Sequence, residues 1–207
     1  MLKRAMDILF ALLGLVVTAP VWGILMVAIK LEDGGPIFFG QDRWGKDGKA
    51  FRALKFRSMW VAKAQVATQA CENDPRITWV GRLMRRTALD ELPQILNILK
   101  GDMSFVGPRS LPINERQLND PHPDLSDDAI PNFGVRSRVQ PGLTGLAQIC
   151  APRDVSRRNK FRYDALYVRR RGLLLDLRLI LLSIWISLKG GWERRARHAG
   201  IRSSVRA

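Results

Sequence analysis

The chain has 207 residues, of which 46% are hydrophobic and 26% charged, enough apolar material to bury a core and to exclude a disordered chain. Its formal net charge of +15 calls for an anionic partner, whether nucleic acid, an acidic lipid surface or a phosphorylated substrate. The two cysteines, Cys71 and Cys150, lack the spacing of a disulfide framework or a zinc site, which suits a reducing compartment.

From Ile8 to Ile29 the chain runs for 22 residues without a charge, roughly 33 Å as a helix, and this block belongs in lipid. It has no convincing small-residue cleavage site, which argues against a signal peptide. Pro20 at its middle predicts a kink, leaving arms of about 18 Å, too short to cross a bilayer if the bend is sharp. Lys3 and Arg4 before the block and Lys30 after it all favour the cytoplasm. A re-entrant hairpin satisfies both flanks. A straight, mildly kinked single span is the competing reading, and the residues alone leave the two open.

The turn-rich EDGGP then leads to two short runs, PIFFGQ and KAFRALKF, which predict a pair of strands joined by a loop. Val61 to Ala70 is helical by propensity and is broken by Asn73-Asp74-Pro75. Leu92, Ile95, Leu96 and Leu99 recur at helical spacing with Gly101 as the cap. Because Pro93 must lie near the helix start, Asp90 and Glu91 are expected at or inside the first turn. Residues 111–134, with four prolines, read as loop; Val139 to Ile149 reads as a turn and short strand, and Lys160 to Arg171 as a helix.

Leu173 to Leu188 is apolar but carries Asp176 and Arg178, so it is too short and too charged to span. At 100° per residue Asp176, Ser183 and Ser187 share a narrow stripe, which predicts a helix lying in the lipid interface with Trp185 at the headgroup level. A core helix of a soluble domain is the alternative. Basic residues crowd both sides of this block, as an anionic leaflet would favour.

The chemistry centres on Asp90 and Glu91, which sit just after Arg82, Arg85 and Arg86. Carboxylates at a helix start in a basic protein are expected to stay ionised. An ionised aspartate can attack phosphorus, and a neighbouring glutamate can help hold Mg²⁺, which prefers hard oxygens and substrate phosphates. Lys55, Arg85 and Arg109 could then neutralise the approach of one anion to another. The bland alternative is that the two carboxylates only complement a helix dipole, or that Thr87 and Asp90 form a capping box. His122 and His198 lie in polar segments and carry no catalytic expectation. Cys150 reads as a small buried residue, and the tryptophans do not interleave with basic residues as a nucleic-acid stacking surface would.

The ordered motifs KFRSM (Lys55 to Met59), LDELPQILNILKGDMSFVGPR (Leu89 to Arg109), QPGLTGLAQI (Gln140 to Ile149) and YDALYV (Tyr163 to Val168) closely resemble the bacterial sugar transferases known as monotopic phosphoglycosyl transferases. The resemblance covers roughly Lys3 to Leu188. It implies transfer of a sugar phosphate from a nucleotide diphosphate sugar, usually a UDP-sugar, to a polyprenyl phosphate such as undecaprenyl phosphate, with release of UMP, at the cytoplasmic face of the bacterial inner membrane. It implies that Asp90 is the nucleophile of a covalent intermediate, that Glu91 and Mg²⁺ assist with Asp90 and Glu91 as the metal ligands, and that Lys55, Arg85 and Arg109 serve the phosphates.

By the same resemblance, residues 1–32 form a re-entrant membrane helix broken at Pro20. Residues 33–190 then form an α+β, mainly helical catalytic domain with amphipathic interfacial helices, and residues 191–207 a basic tail. Larger members add membrane helices ahead of this unit, so the chain is expected to be the minimal form. The sequence departs from the family at Ser110, where proline is usual. It departs again after Gln148, where Ile149 to Arg153 stands in place of an Asn-Gly-Arg run, leaving Arg153 without a clear counterpart. A lipid-anchored basic binding module without catalysis is the rival from another class, and it gives the acidic pair no role.

Overall fold

The computed structural model describes residues 2–61, 74–113, 125–151 and 155–189. The expected helix over Val61 to Ala70 therefore falls outside the described residues beyond position 61, as do Cys71, His122, Arg153, His198 and the basic tail.

Helix α1 spans Leu2–Asp33. Pro20 lies inside it, and the helix continues through it, so the expected break is not an interruption of helical backbone. A proline in a helix removes one hydrogen bond and crowds the preceding turn, which is a bend rather than a stop when the flanking turns hold. Thr18 adds to this by donating its hydroxyl to Gly14 O at 2.6 Å, a back-bond that favours bending.

Both arms of α1 pack on the same domain. Near its start Lys3 donates to Val106 O and pairs with Asp176, and Arg4 donates to Ile98 O and Leu99 O. Asp7 accepts from the Ser104 hydroxyl and the Phe105 amide. Ala11 and Leu15 then join Ile95, Ile98 and Met103 in one core cluster. Beyond Pro20, Leu25 and Ile29 join Phe56, Val80 and Met84 in another. Between the arms none of residues 16–20 is buried, and the outward stripe is apolar, with Leu13, Val16, Val17, Ile24 and Val27 all more than half exposed.

The predicted strand pair is present. Strand β1 (Phe38–Trp44) runs antiparallel to β2 (Ala50–Phe56), with Phe39 opposite Lys55. A single helical turn over Lys46–Gly48 joins them, and Asp47 and Gly48 take the positive φ that the reversal needs. Helix α2 (Trp79–Thr87) and helix α3 (Gln94–Lys100) follow, the latter ending at Gly101, which takes the left-handed φ of +99° expected of its cap.

Strand β3 (Ser104–Val106) pairs in parallel with β4 (Gly142–Thr144). The short helix α4 (Phe133–Arg136) lies between them in sequence. After β4 the chain turns helical as α5 (Leu146–Cys150) where the sequence suggested a continuing strand, and Cys150 is exposed rather than buried. Helix α6 (Arg157–Arg170) covers the predicted helical run except Arg171, which caps it. The whole is the expected mixed α+β domain, mainly helical.

Helix α7 (Leu173–Leu188) is inside out. Its polar stripe faces the protein: Asp176 is 1% exposed and Ser183 bonds to Thr144. Leu174, Leu181, Ile184, Trp185 and Leu188 stand more than half exposed on the other side. A helix of a soluble core would place these the other way round, so the core-helix alternative does not describe α7.

Candidate active site

Helix α2 is fixed at both ends. Thr78 accepts from Gly81 N at 2.9 Å as the N-cap, and Glu32 at the end of α1 accepts from Trp79 N at 2.6 Å and Val80 N at 3.2 Å. At the far end Ala88 adopts a left-handed φ of +59° and its amide bonds Met84 O. This reversal throws the chain into a separate helical turn, Leu89–Glu91, ahead of Pro93 and α3. Asp90 and Glu91 thus stand one turn before the helix that the sequence pattern placed them in. The capping box does not form, because the Thr87 hydroxyl donates to Leu83 O and Met84 O at the end of α2.

The turn is held against β2 by Asn97 of α3. Its side chain accepts from Leu54 N at 3.0 Å and donates to Arg52 O at 2.9 Å, so α3 and β2 are locked beside Lys55. Lys55 Nζ then reaches Glu91 Oε1 at 2.7 Å and lies 3.9 Å from Asp90 Oδ2. The three side chains are largely enclosed, at 17%, 18% and 10% exposure for Lys55, Glu91 and Asp90.

Enclosure separates the two carboxyls. Burial alone would push Glu91 up, but Lys55, Arg109 and Arg43 outweigh it and hold the group down at about 2. Burial pushes Asp90 above its ordinary value; Lys55 and Arg85 oppose this, and the neighbouring charge of Glu91 adds to it. Both groups were expected to stay ionised at a helix start; the fold sets them apart, with Glu91 held down and Asp90 pushed up, where further positive charge would help it to ionise. Burial also draws Lys55 below its usual value, against the pull of Glu91.

The expected cations converge on this pair. Arg85 donates from Nε to Ser58 Oγ at 3.0 Å and acts electrostatically on Asp90. Arg109 is exposed and acts on Glu91 and Lys55. Its backbone is clamped: Arg136 donates to Arg109 O while pairing with buried Asp164 at 2.9 Å and stacking over Phe161. Asp164 belongs to the YDALYV motif, whose structural purpose was not legible from spacing.

Two residues escaped the sequence reading. Arg43 on β1 is 5% exposed, donates to Gln41 Oε1 and to both the carbonyl and the hydroxyl of Ser110, and acts on Glu91 and Lys55. Ser110 is therefore a built-in partner of a buried cation. A lone arginine in a strand carries no signal of this. Gln94 is 1% exposed, one helical turn past Asp90, and its amide nitrogen has no partner among the described residues. A buried donor left unpaired is unusual enough to ask for an explanation.

Close backbone crossing shapes the rim. A Cβ on Gly107 would overlap Gln140 O, and one on Gly142 would overlap Gly107 N. Only glycine lets the VGPR and QPGLTG segments pass each other here, which sets where Arg109 leaves the chain.

The arrangement is a buried acidic pair ringed by cations, in a domain that also carries a long apolar helix. The chain belongs to the bacterial sugar transferase family, whose sequence pattern matches residues 1–190. It is 39% identical to the UDP-glucose:undecaprenyl-phosphate glucose-1-phosphate transferase of Escherichia coli K12 over 89% of this chain, but spans only 40% of that relative's length. It is 40% identical to the exopolysaccharide production protein ExoY of Sinorhizobium fredii, over 88% of this chain and 83% of the relative. It is also 39% identical to a UDP-N-acetylgalactosamine-undecaprenyl-phosphate N-acetylgalactosaminephosphotransferase of Aeromonas hydrophila, over 91% of this chain and 44% of the relative.

Proposed function

We propose that the protein transfers a sugar 1-phosphate from a UDP-sugar to undecaprenyl phosphate, with Asp90 as nucleophile. Asp90 Oδ attacks the phosphorus that bears the sugar. A carboxylate oxygen to phosphorus bond forms, the bridging phosphate oxygen departs with UMP, and a sugar-phosphoryl aspartate remains. A phosphate oxygen of the acceptor then attacks the same phosphorus and frees Asp90, leaving a polyprenyl diphosphate sugar.

The observation that carries this reading is the pairing of Lys55 with Glu91 beside a buried Asp90. Lys55 and Glu91 fix one another, so Asp90 is left as the acidic oxygen without a direct ion-pair contact shorter than 3.9 Å. Arg85 and Arg109 meet the diphosphate, and Arg43 adds fixed positive charge behind Glu91, which lowers the cost of bringing two anions together. Enclosure of the pair keeps water from the acyl phosphate.

The residues fit Mg²⁺. Asp90 and Glu91 are adjacent hard-oxygen donors, and the raised Asp90 is a group that a nearby cation would help to ionise. Among the described residues no group of three metal-binding side chains forms, which suits an ion that takes one or two carboxylates and completes its shell with water and substrate phosphate. Bound there, Mg²⁺ supplies charge neutralisation to the diphosphate.

We place the site at the cytoplasmic face of the inner membrane. A helix whose two arms pack on one domain has both ends on one side, which supports a re-entrant course for α1, and the apolar outer face of α7 supports an interfacial one. Cysteine labels at positions 5 and 31 should react from the same side; reaction from opposite sides would mean a true span.

The test of the chemistry uses purified protein in detergent with Mg²⁺, undecaprenyl phosphate and a panel of UDP-sugars, reading UMP. Asp90→Asn should abolish release. Enzyme incubated with UDP-sugar alone should gain the mass of a sugar phosphate on the peptide carrying residue 90. Sustained turnover by the asparagine variant would overturn the assignment.

A further inference from the structure

The outward face of α2 has no part in the mechanism above. Val80, Gly81 and Met84 face the core, and Val80 and Met84 pack on Leu25 and Ile29 of α1. At i, i+3, i+4 and i+7 on the other side stand Trp79, Arg82, Leu83 and Arg86, all exposed, with Trp79 at 76% and Leu83 at 53%. Two large apolar side chains in contact with water on a nine-residue helix are costly unless something covers them.

The direction of the stripe says what the cover is. Trp79 begins the helix, where Glu32 from the end of α1 caps it, so the end that carries the largest apolar side chain adjoins α1. Arg86 closes it, beside Arg85, whose charge acts on Asp90. Nine residues cover about 13 Å, the length of two or three isoprene units. An occupant of this face therefore has a hydrocarbon tail leaving toward lipid and an anionic head arriving at the nucleophile. The exposed stripe of α1 is purely apolar between Leu9 and Val17, as bulk acyl chains require, whereas α2 alternates apolar and cationic positions.

We infer that the outer face of α2 is the docking track of the polyprenyl phosphate acceptor. Trp79 and Leu83 pack on its first isoprene units, and Arg82 and Arg86 guide its phosphate toward Asp90. This rests on the transferase reading of the site and adds where the second substrate lies.

The probe is an undecaprenyl phosphate analogue with a diazirine on its second isoprene unit, photolysed with the full-length protein in detergent. Label is expected in the peptides 77–82 and 83–85 released by cleavage at arginine. It should be displaced by excess undecaprenyl phosphate and not by excess phosphatidylglycerol. The exposed variants Trp79→Ser and Leu83→Ser should fold as wild type, lose most of the labelling, and raise the acceptor KM about tenfold each while the UDP-sugar KM stays put. Label confined to other peptides, displacement by phosphatidylglycerol, or an unchanged acceptor KM would overturn the inference. Failure of the wild type to turn over at all would instead sink the transferase reading, because photolabelling needs no catalysis.

Discussion

Lys3 Nζ, in the first turn of α1, meets Asp176 Oδ2, in the first turn of α7, at 2.5 Å across 173 positions of sequence. Asp176 is 1% exposed and also receives the Tyr167 hydroxyl at 2.8 Å. Burial and the Asp176 charge push Tyr167 far above its usual value, so the hydroxyl keeps its proton for this bond. The two helices with exposed apolar faces are thereby tied to each other and to α6. Lys3→Ala leaves a buried carboxylate with one partner. Discounted for the 34% exposure of the lysine side chain, the loss should be about 1–2 kcal/mol, or roughly 2–8 °C in Tm. Thermal unfolding in detergent checks it, and the double variant with Asp176→Asn should lose less than the sum of the singles.

Lys55→Met removes the cation nearest both carboxyls. Glu91, held at about 2 in the wild type, should titrate higher by about one pH unit or more. Lys55 also holds Asp90 down against its burial, so the nucleophile should rise as well. Activity that needs both carboxyls ionised is lost as pH falls through the higher of the two, Asp90, so the acid limb of kcat/KM should move to higher pH. An acid limb that stays where it was would mean that Asp90 need not be ionised or that Lys55 does not hold it down.

Gly81→Ala should damage the site from a distance. A Cβ there stands 2.8 Å from the Ser58 carbonyl carbon and overlaps its oxygen, and backbone cannot yield as a side chain would. Pushing α2 away from Ser58 costs about 1–3 kcal/mol and breaks the Arg85 to Ser58 bond. A lower Tm together with a raised KM for the UDP-sugar is the expected pattern; wild-type values for both would show that the contact relaxes freely.

Gln94→Leu is expected to divide stability from function. Replacing an unpaired buried amide with an apolar group of similar size should leave Tm equal or higher. Turnover should fall if that amide donates to substrate or to Asp90 during the reaction. Turnover equal to wild type would leave the unpaired nitrogen without a chemical role.

Much of this was legible because periodicity and breakers are local. The strand pair, Gly101 as a cap, the span of α7 and the convergence of Lys55, Arg85 and Arg109 on Asp90 and Glu91 follow from spacing, composition and the quoted motifs. What escaped depends on contacts distant in sequence. Spacing cannot show that Ala88 would turn left-handed and set the acidic pair on its own turn. Nor can it show that Asp176 would be aimed inward at Lys3, or that Arg43 would find Ser110. Nor can spacing show that Asp90 would be pushed up while Glu91 is held down, since burial is a property of the folded neighbourhood.

The apolar helix that begins the chain is also masonry. Ala11, Leu25 and Ile29 are buried in the core, so trimming α1 to obtain a water-soluble fragment would uncover Ile95, Ile98, Met103, Phe56 and Met84 together. The residue pair at 32 and 33 is accordingly no seam for the protein engineer. Amino-acid changes meant to raise its solubility belong on the outward stripe from Leu9 to Leu31, where they leave the masonry standing.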